Sequence, residues 1–199
     1  EAAAMDPSQR LLLERDYRAL HSAAVTRSAL KGSLTGVFLG FAGSEFSEVL
    51  AKSPAGSSVY AATGVSASIS CGRVSFALDL HGPCSAYDTA CSAALVASHA
   101  GYRALQLSEC RISLVVGVVV MIAPGKGMSF SIAGMTSPRG RSHTWDRRAD
   151  GYARGEAFGG IALGQTCDLS AFALLGSCVR QDGRSASLTA PSGLAQQGL

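Results

Sequence analysis

Apolar residues recur at three- and four-residue steps in three stretches of the chain, and each stretch is predicted to be a helix with one buried face. The stretches are residues 7–24, 66–78 and 92–107. Pro7 suits the first turn of a helix, and Asp6 before it is a good N-cap. The helical period therefore predicts three main helices, the first with a defined start.

Short runs that are apolar throughout predict strands. Residues 36–40 are bounded by glycines and residues 111–121 form the clearest run. Strands without polar positions are usually covered on both faces, which favours a layered α/β architecture. Further predictions follow the chain: a loop or short irregular helix at 42–60, a sharp break at 81–83, a brief extended segment at 87–90, a hairpin-like segment at 152–165 and a strand at 171–179.

Composition indicates a folded, soluble chain. Of the 199 residues, 47% are hydrophobic and 16% are charged, which is too apolar for a disordered protein. The length suits one domain or part of a larger one. The longest apolar run, residues 114–123, is shorter than the roughly 20 residues that cross a bilayer, so we interpret it as a buried strand and expect no membrane partner.

The net charge of +3 is small, and its only dense region lies in residues 139–154. Acidic residues interrupt this region, so we expect a self-neutralising surface and no nucleic-acid partner. The basic residues are Arg139, Arg141, Arg147, Arg148 and Arg154, and the acidic ones nearby are Asp146, Asp150 and Glu156.

Six cysteines occur without any CxxC pair, so neither zinc-ribbon nor redox spacing is present. We expect reduced thiols in an intracellular, cytoplasmic protein. Cys91 is predicted to differ from the others, for which we expect burial in the core. The others are Cys71, Cys84, Cys110, Cys167 and Cys178.

Cys91 lies between a brief extended segment and a predicted helix. The N-terminus of a helix carries free N–H groups and about half a positive charge, which favour a thiolate and an oxyanion formed on an attacked carbonyl. The small neighbours Ala90, Ser92, Ala93 and Ala94 leave room for an acyl chain. Position alone leaves open that Cys91 is a small buried residue.

The sequence around Cys91 also resembles a known family. Asp88-Thr89-Ala90-Cys91-Ser92 is similar to the active-site signature of type I ketosynthases (β-ketoacyl synthases) of polyketide and fatty-acid synthesis. Four further segments resemble that family in the same order, at residues 5–13, 71–83, 137–157 and 181–193. Five ordered motifs are more specific than one cysteine-containing phrase. Because they are spread over residues 5–193, the resemblance covers nearly the whole chain.

The resemblance implies a thiolase-like α/β fold, which when complete is a layered α/β/α/β/α sandwich. Residues 1–199 would be the N-terminal part of the ketosynthase domain, with part of the adjoining strands. It also implies that Cys91 accepts an acyl group, which a malonyl-type thioester attacks after decarboxylation, forming a carbon–carbon bond. The expected partners are an acyl carrier protein, acyl and malonyl thioesters, and a second copy in a homodimer. No metal or cofactor is expected, since phosphopantetheine arrives on the carrier protein.

The chain departs from this family in its histidines. Two catalytic histidines, in His-Gly-Thr and Asn-x-Gly-His motifs, would follow the matched region, and neither motif occurs here. We expect the full-length protein to be an active acyltransferase, a β-ketoacyl synthase. We expect the isolated 199-residue chain to be inactive. The alternatives are a non-catalytic thiolase-fold module that only binds a partner or carrier, and a cysteine hydrolase, which would need a Cys–His pair.

Four histidines and two carboxylates are interpreted as structural. His99 is expected to pack within its helix, His21 and His143 to lie on the surface and His81 in a loop. Asp88 and Glu156 are expected to fix nearby loops by accepting hydrogen bonds from backbone N–H groups or arginine. Ala93, Ala94, Tyr87 and Ala157 replace residues usual in the family and are expected at most to reshape the pocket.

Overall fold

A mixed four-stranded sheet organises the chain, as shown by a computed structural model that describes residues 1–165 and 172–199. The strands are β1 (Thr35–Gly40), β2 (Cys84–Tyr87), β3 (Ile112–Val119) and β4 (Ala157–Gly164). Their order is β2-β1-β3-β4, with β1 parallel to both β2 and β3 and with β4 antiparallel to β3. The two parallel pairs bring the carboxyl ends of three strands to one edge of the sheet.

Helices account for most of the remaining regular structure. They are α1 (Pro7–Ser22), α2 (Arg27–Leu30), α3 (Phe46–Ala51), α4 (Ala61–Val65), α5 (Ala67–Leu78), α6 (Ala93–Gln106), α7 (Pro124–Ile132) and α8 (Gly193–Gln197). The three predicted main helices are confirmed as α1, α5 and α6. The short helix α3 and a 3₁₀ turn at Pro54–Ser57 confirm the irregular helical character expected of residues 42–60.

The sheet is covered on both faces, which confirms the layered α/β architecture. On one face, α1 and α5 pack against alternate strand residues such as Val37 and Leu39. On the other, α6 packs against the intervening Phe38 and against Val115. Every residue of β1 is buried, because a strand enclosed by helices on both sides has no solvent face.

The predicted start of α1 is confirmed, and it anchors the N-terminal motif. Asp6 caps the helix by accepting a hydrogen bond from the backbone N–H of Ser8 at 2.7 Å. Gln9 donates from Nε2 to the Gly64 carbonyl at 2.9 Å and accepts from Arg73 Nε at 2.9 Å. The motif at residues 5–13 therefore joins α1 to α4 and α5.

Two strand predictions were wrong. Residues 152–165 form no hairpin with themselves, because β4 pairs along its whole length with β3. The predicted strand at 171–179 is absent over residues 172–179, and Ala171 lies outside the described residues. An apolar run becomes a strand only where another strand accepts its backbone hydrogen bonds, and residues 175 and 177 instead contact α6 through Tyr102 and His99.

Within the part of the chain that the structure describes, no helix is both long and apolar enough to cross a membrane.

Candidate active site

Cys91 lies at the edge of the sheet where β1, β2 and β3 end. It follows β2 after a short connection and sits in a 3₁₀ turn, Ala90–Ser92, that leads directly into α6. The side chain is exposed, so the alternative that Cys91 is a small buried residue is wrong. In parallel α/β sheets this edge is where ligands are usually bound, because loops and helix N-termini converge there.

The turn that presents Cys91 contains a residue in an unusual conformation. Ala90 has φ 54°, in the left-handed region that residues with a side chain seldom adopt. Asp88 Oδ1 accepts a hydrogen bond from the Ala90 N–H at 3.1 Å, and Ser92 Oγ donates to the Thr89 carbonyl at 2.9 Å. These bonds hold the sharp reversal that places the Cys91 thiol at the surface.

Two glycines let the start of α6 approach the sheet closely. Gly40 at the end of β1 is the register partner of Gly117 on β3. A Cβ on Gly40 would lie 2.5 Å from both Cα and N of Ala94, and one on Gly117 would lie 3.0 Å from the Ala94 Cβ. Ala94 therefore occupies a notch between paired strands, and this contact fixes the position of the Cys91 turn relative to the sheet.

The helix that follows Cys91 has the polar groups that thiol chemistry needs. No side chain in the described part of the protein caps the N-terminus of α6. Uncapped N–H groups and the helix dipole favour negative charge at this position. The arrangement can stabilise an oxyanion formed on an acyl carbonyl beside Cys91.

A cleft of about 1020 Å³ lies beside the turn that carries Cys91. Thr89 and Ser92, on either side of Cys91 in the chain, line one side together with Val96 of α6. The other side is made by residues 179–185 and 187–191, which include most of the last resemblance motif. That segment is held by a 2.7 Å hydrogen bond from the Ser192 N–H to Asp182 Oδ2. The sequence had not predicted that this motif would line a cleft together with Thr89 and Ser92.

None of the four histidines lines this cleft. His99 is half-buried on α6, and its Nδ1 is 2.9 Å from the Ser177 hydroxyl, in agreement with the structural role expected for it. His81 is exposed beside Asp79, and His21 is exposed at the end of α1. A cysteine hydrolase would need a histidine beside Cys91, and these positions provide no support for that alternative.

Asp88 and Glu156, the two carboxylates expected to fix nearby loops, have the structural roles predicted for them. Asp88 holds the turn that carries Cys91, as described above, and Glu156 Oε1 accepts a hydrogen bond from the Met121 N–H at 2.8 Å. The latter bond joins the end of β3 to the segment before β4.

A third carboxylate, Glu45, was missed by sequence reasoning. It is 7% exposed, and its Oε2 accepts hydrogen bonds from Ile122 N at 3.0 Å and Ala123 N at 3.2 Å. Its other oxygen pairs with Arg154, which also lies over the Phe130 ring. Burial opposes ionisation, but hydrogen bonds from Arg154 and these N–H groups lower the Glu45 pKa. Glu45 therefore binds together the loops that follow β1 and β3.

Two arginines of the arginine-rich region, Arg139 and Arg148, pair with the acidic residues that interrupt it. Arg139 Nε is 2.8 Å from Asp150 Oδ2, and Arg148 Nη2 is 2.6 Å from Asp146 Oδ2. A hydrogen bond from Ser137 and the Arg139 cation lower the Asp150 pKa despite some desolvation. These bonds hold residues 137 and 139 against residue 150, so part of the motif at residues 137–157 stabilises a loop.

The remaining cysteines only partly follow the prediction that they are buried. Cys71 and Cys110 are buried, whereas Cys84 and Cys178 are exposed. Cys84 is exposed because it begins β2, which is an edge strand, and Cys178 lies in the segment without regular structure. Cys167 lies outside the described residues. No group of three or more potential metal ligands occurs in residues 1–165 and 172–199.

Comparisons with known proteins agree with this geometry. The family model described as "Beta-ketoacyl synthase, N-terminal domain" matches residues 1–168. Polyketide synthase-nonribosomal peptide synthetase ACE1 of Pyricularia oryzae is 43% identical over 202 residues, covering 98% of this chain and 5% of that protein. Non-reducing polyketide synthase olcA of Penicillium canescens is 40% identical over 205 residues, covering 100% of this chain and 8% of that protein.

A solved structure has the same fold. The ketosynthase from module 6 of the bacillaene synthase from Bacillus subtilis 168 superposes with a TM-score of 0.85 at 33% identity. The match covers 98% of this chain and 34% of that one. The chain therefore spans about a third of that ketosynthase and 5–8% of the two polyketide synthases described above.

Proposed function

Because the chain belongs to the β-ketoacyl synthase family, we propose that it supplies the acyl-accepting half of a polyketide-type ketosynthase, with Cys91 as nucleophile. Residues 1–199 would be the N-terminal part of that domain. The observation that carries the proposal is the exposed Cys91 thiol, presented by a left-handed turn at the uncapped start of α6 and beside a large cleft.

The first step is transfer of an acyl group. The Cys91 thiolate attacks the carbonyl carbon of an acyl thioester held by an acyl carrier protein, and the N–H groups at the start of α6 stabilise the oxyanion. The oxyanion collapses, the carbon–sulfur bond to the carrier breaks, and the departing thiolate takes up a proton. The acyl group is then on Cys91, with its chain in the adjoining cleft.

The second step forms the carbon–carbon bond. A malonyl-type thioester on a carrier protein loses CO₂, and the resulting carbanion attacks the carbonyl of the acyl-Cys91 thioester. The carbon–sulfur bond to Cys91 breaks, which releases a β-ketoacyl thioester and regenerates the thiolate. The electron pair for the new bond comes from decarboxylation, so this sequence needs no redox cofactor. The resemblance assigns assistance in this step to two histidines that these residues do not contain.

The proposed partners follow from this chemistry. They are acyl carrier proteins, which bring phosphopantetheine as part of the substrate, and a second copy of the chain in a homodimer. The edge position of β2, with one side free of any strand partner among the described residues, is compatible with pairing to another copy. An intracellular, cytoplasmic location is part of the same proposal.

Acyl loading tests the proposal. The full-length protein is incubated with an acyl thioester, and the mass of the peptide containing Cys91 is measured. We expect an acyl adduct on this peptide, no adduct in Cys91→Ala, and normal loading in Cys178→Ser, which removes another exposed thiol. Loading that persists in Cys91→Ala would contradict the assignment.

The second candidate is a non-catalytic module that binds a carrier without accepting its acyl group. In that case the wild-type protein would retain carrier protein in a binding assay while the mass of the Cys91 peptide stayed unchanged. The same preparation can be used for both measurements, so the two functions are distinguished directly.

A further inference from the structure

Asp16 is a carboxyl group for which the proposed reaction has no use and the fold provides no partner. It lies on α1 with 0% of its surface exposed. Neither carboxyl oxygen has a hydrogen-bond partner among the described residues. Because buried polar side chains are nearly always hydrogen-bonded in folded proteins, the position of Asp16 is unusual and requires a physical explanation.

The carboxyl group of Asp16 lies between α1 and β4. A Cβ on Gly160 of β4 would be 3.8 Å from Asp16 Oδ1 and 3.6 Å from the Ala19 Cβ, so the carboxyl group lies over the backbone of Gly160. Phe158 and Ala162, two positions before and after Gly160, pack against the apolar cluster beneath α1. The strand therefore presents an apolar surface to Asp16.

Among the described residues, no basic side chain compensates this carboxyl group. The elements that pack against α1 are β3, β4 and α5, and neither strand contains an ionisable side chain. The ionisable groups of α5 are engaged elsewhere: Cys71 donates to the Ser68 carbonyl at 3.2 Å, and Arg73 binds Gln9 and Glu1. The other ionisable residues of α1 are exposed, namely Arg10, Glu14, Arg15, Tyr17, Arg18 and His21.

This environment allows only the neutral form of Asp16 while α1 and β4 are in contact. Burial raises the pKa of Asp16 to about 8, because the charged form would lose its hydration without gaining a partner. A hydrated aspartate has a pKa of about 3.9. Between these two values an enclosed Asp16 is protonated and a hydrated one is ionised, so ionisation and the α1–β4 contact oppose each other.

Strand β4 is the element that can separate without unfolding the rest of the sheet. It is the last strand in the order β2-β1-β3-β4 and has no strand on its other side among the described residues. None of its residues is fully buried, whereas every residue of β1 is. Elements with few buried contacts open locally at lower cost than the core, so water can reach Asp16 through a movement of β4.

We propose that Asp16 makes the contact between α1 and β4 a pH-sensitive switch, closed when the carboxyl group is protonated and opened locally when it ionises. Each opening releases one proton to water. The contact is therefore fully stabilised below about pH 4, and its opening becomes about tenfold more favourable per pH unit up to about pH 8. Strand β4 directly follows Arg154 and Glu156, which hold the loops after β1 and β3, so the switch adjoins the edge of the sheet that carries Cys91.

Hydrogen–deuterium exchange of the full-length protein tests the switch. Amide protection in β4 and in β1 is measured at pH 5 and pH 7 and corrected for the pH dependence of intrinsic exchange. We expect β4 to exchange faster than β1 at both pH values, and its protection to fall roughly 80-fold from pH 5 to pH 7. Asp16→Asn and Asp16→Ala cannot ionise, so whichever of them folds should lose this fall. Glu14→Gln, which removes an exposed carboxyl group on α1, should retain it.

Three results would overturn the proposal. If β4 exchanges faster than β1 but its protection does not change with pH, Asp16 stays enclosed while β4 opens. If β4 and β1 are equally protected, Asp16 reaches water only when the whole sheet unfolds. If the same fall persists in the variants of Asp16, another group causes it. Exchange is measured without an acyl substrate, so the result does not depend on the function proposed for Cys91.

Discussion

Asp16 is a carboxyl group that the fold encloses without a partner. It lies on α1 with no exposed surface, and neither side-chain oxygen has a hydrogen-bond partner among the described residues. Burial raises the pKa of Asp16 to about 8. A carboxyl group in an apolar setting stays protonated at neutral pH because the charged form loses its hydration.

We predict that Asp16 makes stability fall as pH rises. Its folded pKa lies above the unfolded value of about 3.9, so its contribution is fully present below that value and is lost on titration towards pH 8. The loss at pH 8 should be on the order of a few kcal/mol. Asp16→Asn should flatten the dependence of the urea midpoint on pH between 5 and 8, whereas Glu14→Gln, an exposed carboxyl on α1, should not. An unchanged slope in Asp16→Asn would show that Asp16 is ionised in the folded protein.

The backbone of Ala90 sets the position of the adjacent Cys91, the proposed nucleophile. Its left-handed conformation costs a residue with a side chain about 1–2 kcal/mol, and the cost is larger for a β-branched residue. We predict that Ala90→Val slows acyl loading of Cys91 at least tenfold, because the turn cannot form without strain. Ala90→Gly relieves the strain and should load at the wild-type rate with slightly higher stability. Wild-type loading by Ala90→Val, measured by intact mass, would refute this role for the turn.

At the scale of elements, the start of α6 can approach the sheet closely because Gly40 and Gly117 have no side chains. The Gly40–Gly117 pair forms the notch for Ala94, so the start of α6 rests on the backbone of two strands. Such contacts leave little freedom for adjustment, because the neighbouring atoms belong to the main chain and cannot change rotamer.

We predict that Gly40→Ala displaces the start of α6. The added Cβ would lie 2.5 Å from backbone atoms of Ala94, so the helix must shift, at a cost of about 1–3 kcal/mol. Thermal unfolding should move to lower temperature and acyl loading should slow. Gly159→Ala on β4 is the matched control, since a Cβ there meets nothing within 4 Å. Equal effects of the two substitutions would mean that general strand properties, rather than the notch, are responsible.

Glu45 shows how separate elements are joined into one site. It holds the loops after β1 and β3 through two backbone N–H groups and Arg154. The cleft beside Cys91 is likewise assembled from α6 and a segment about 90 residues further along the chain. Such contacts between different elements shape the edge of the sheet beside Cys91, and no single element forms that edge.

At the scale of the whole molecule, the 199 residues contain the proposed nucleophile Cys91 but neither of the two histidine motifs that the resemblance leads us to expect. We predict that this chain alone forms no β-ketoacyl thioester from acyl and malonyl thioesters, because the groups that assist decarboxylation are missing. Product analysis by mass spectrometry should show none, while the full-length protein should form it unless Cys91 is replaced. Condensation by the 199 residues alone would show that the downstream histidines are dispensable.

Local patterns were sufficient for much of the fold. Helical periodicity located α1, α5 and α6, and the apolar runs located β1 and β3, because each pattern reflects which side of one element faces the core. The helix cap at Asp6 and the loop-fixing roles of Asp88 and Glu156 were also predicted correctly. Five ordered motifs around Cys91 pointed to the family before any contact was known.

The sequence by itself thus determined the main elements, the family and the candidate nucleophile. Only the tertiary structure decided which apolar run became a strand, since β4 exists through its pairing with β3 and residues 172–179 have no strand partner among the residues that the structure describes. It also decided that Glu45 joins two loops and that Gly40 and Gly117 form a notch for Ala94. These features depend on residues far apart in the chain, and the approach of such residues follows from packing of the whole sheet rather than from any local preference.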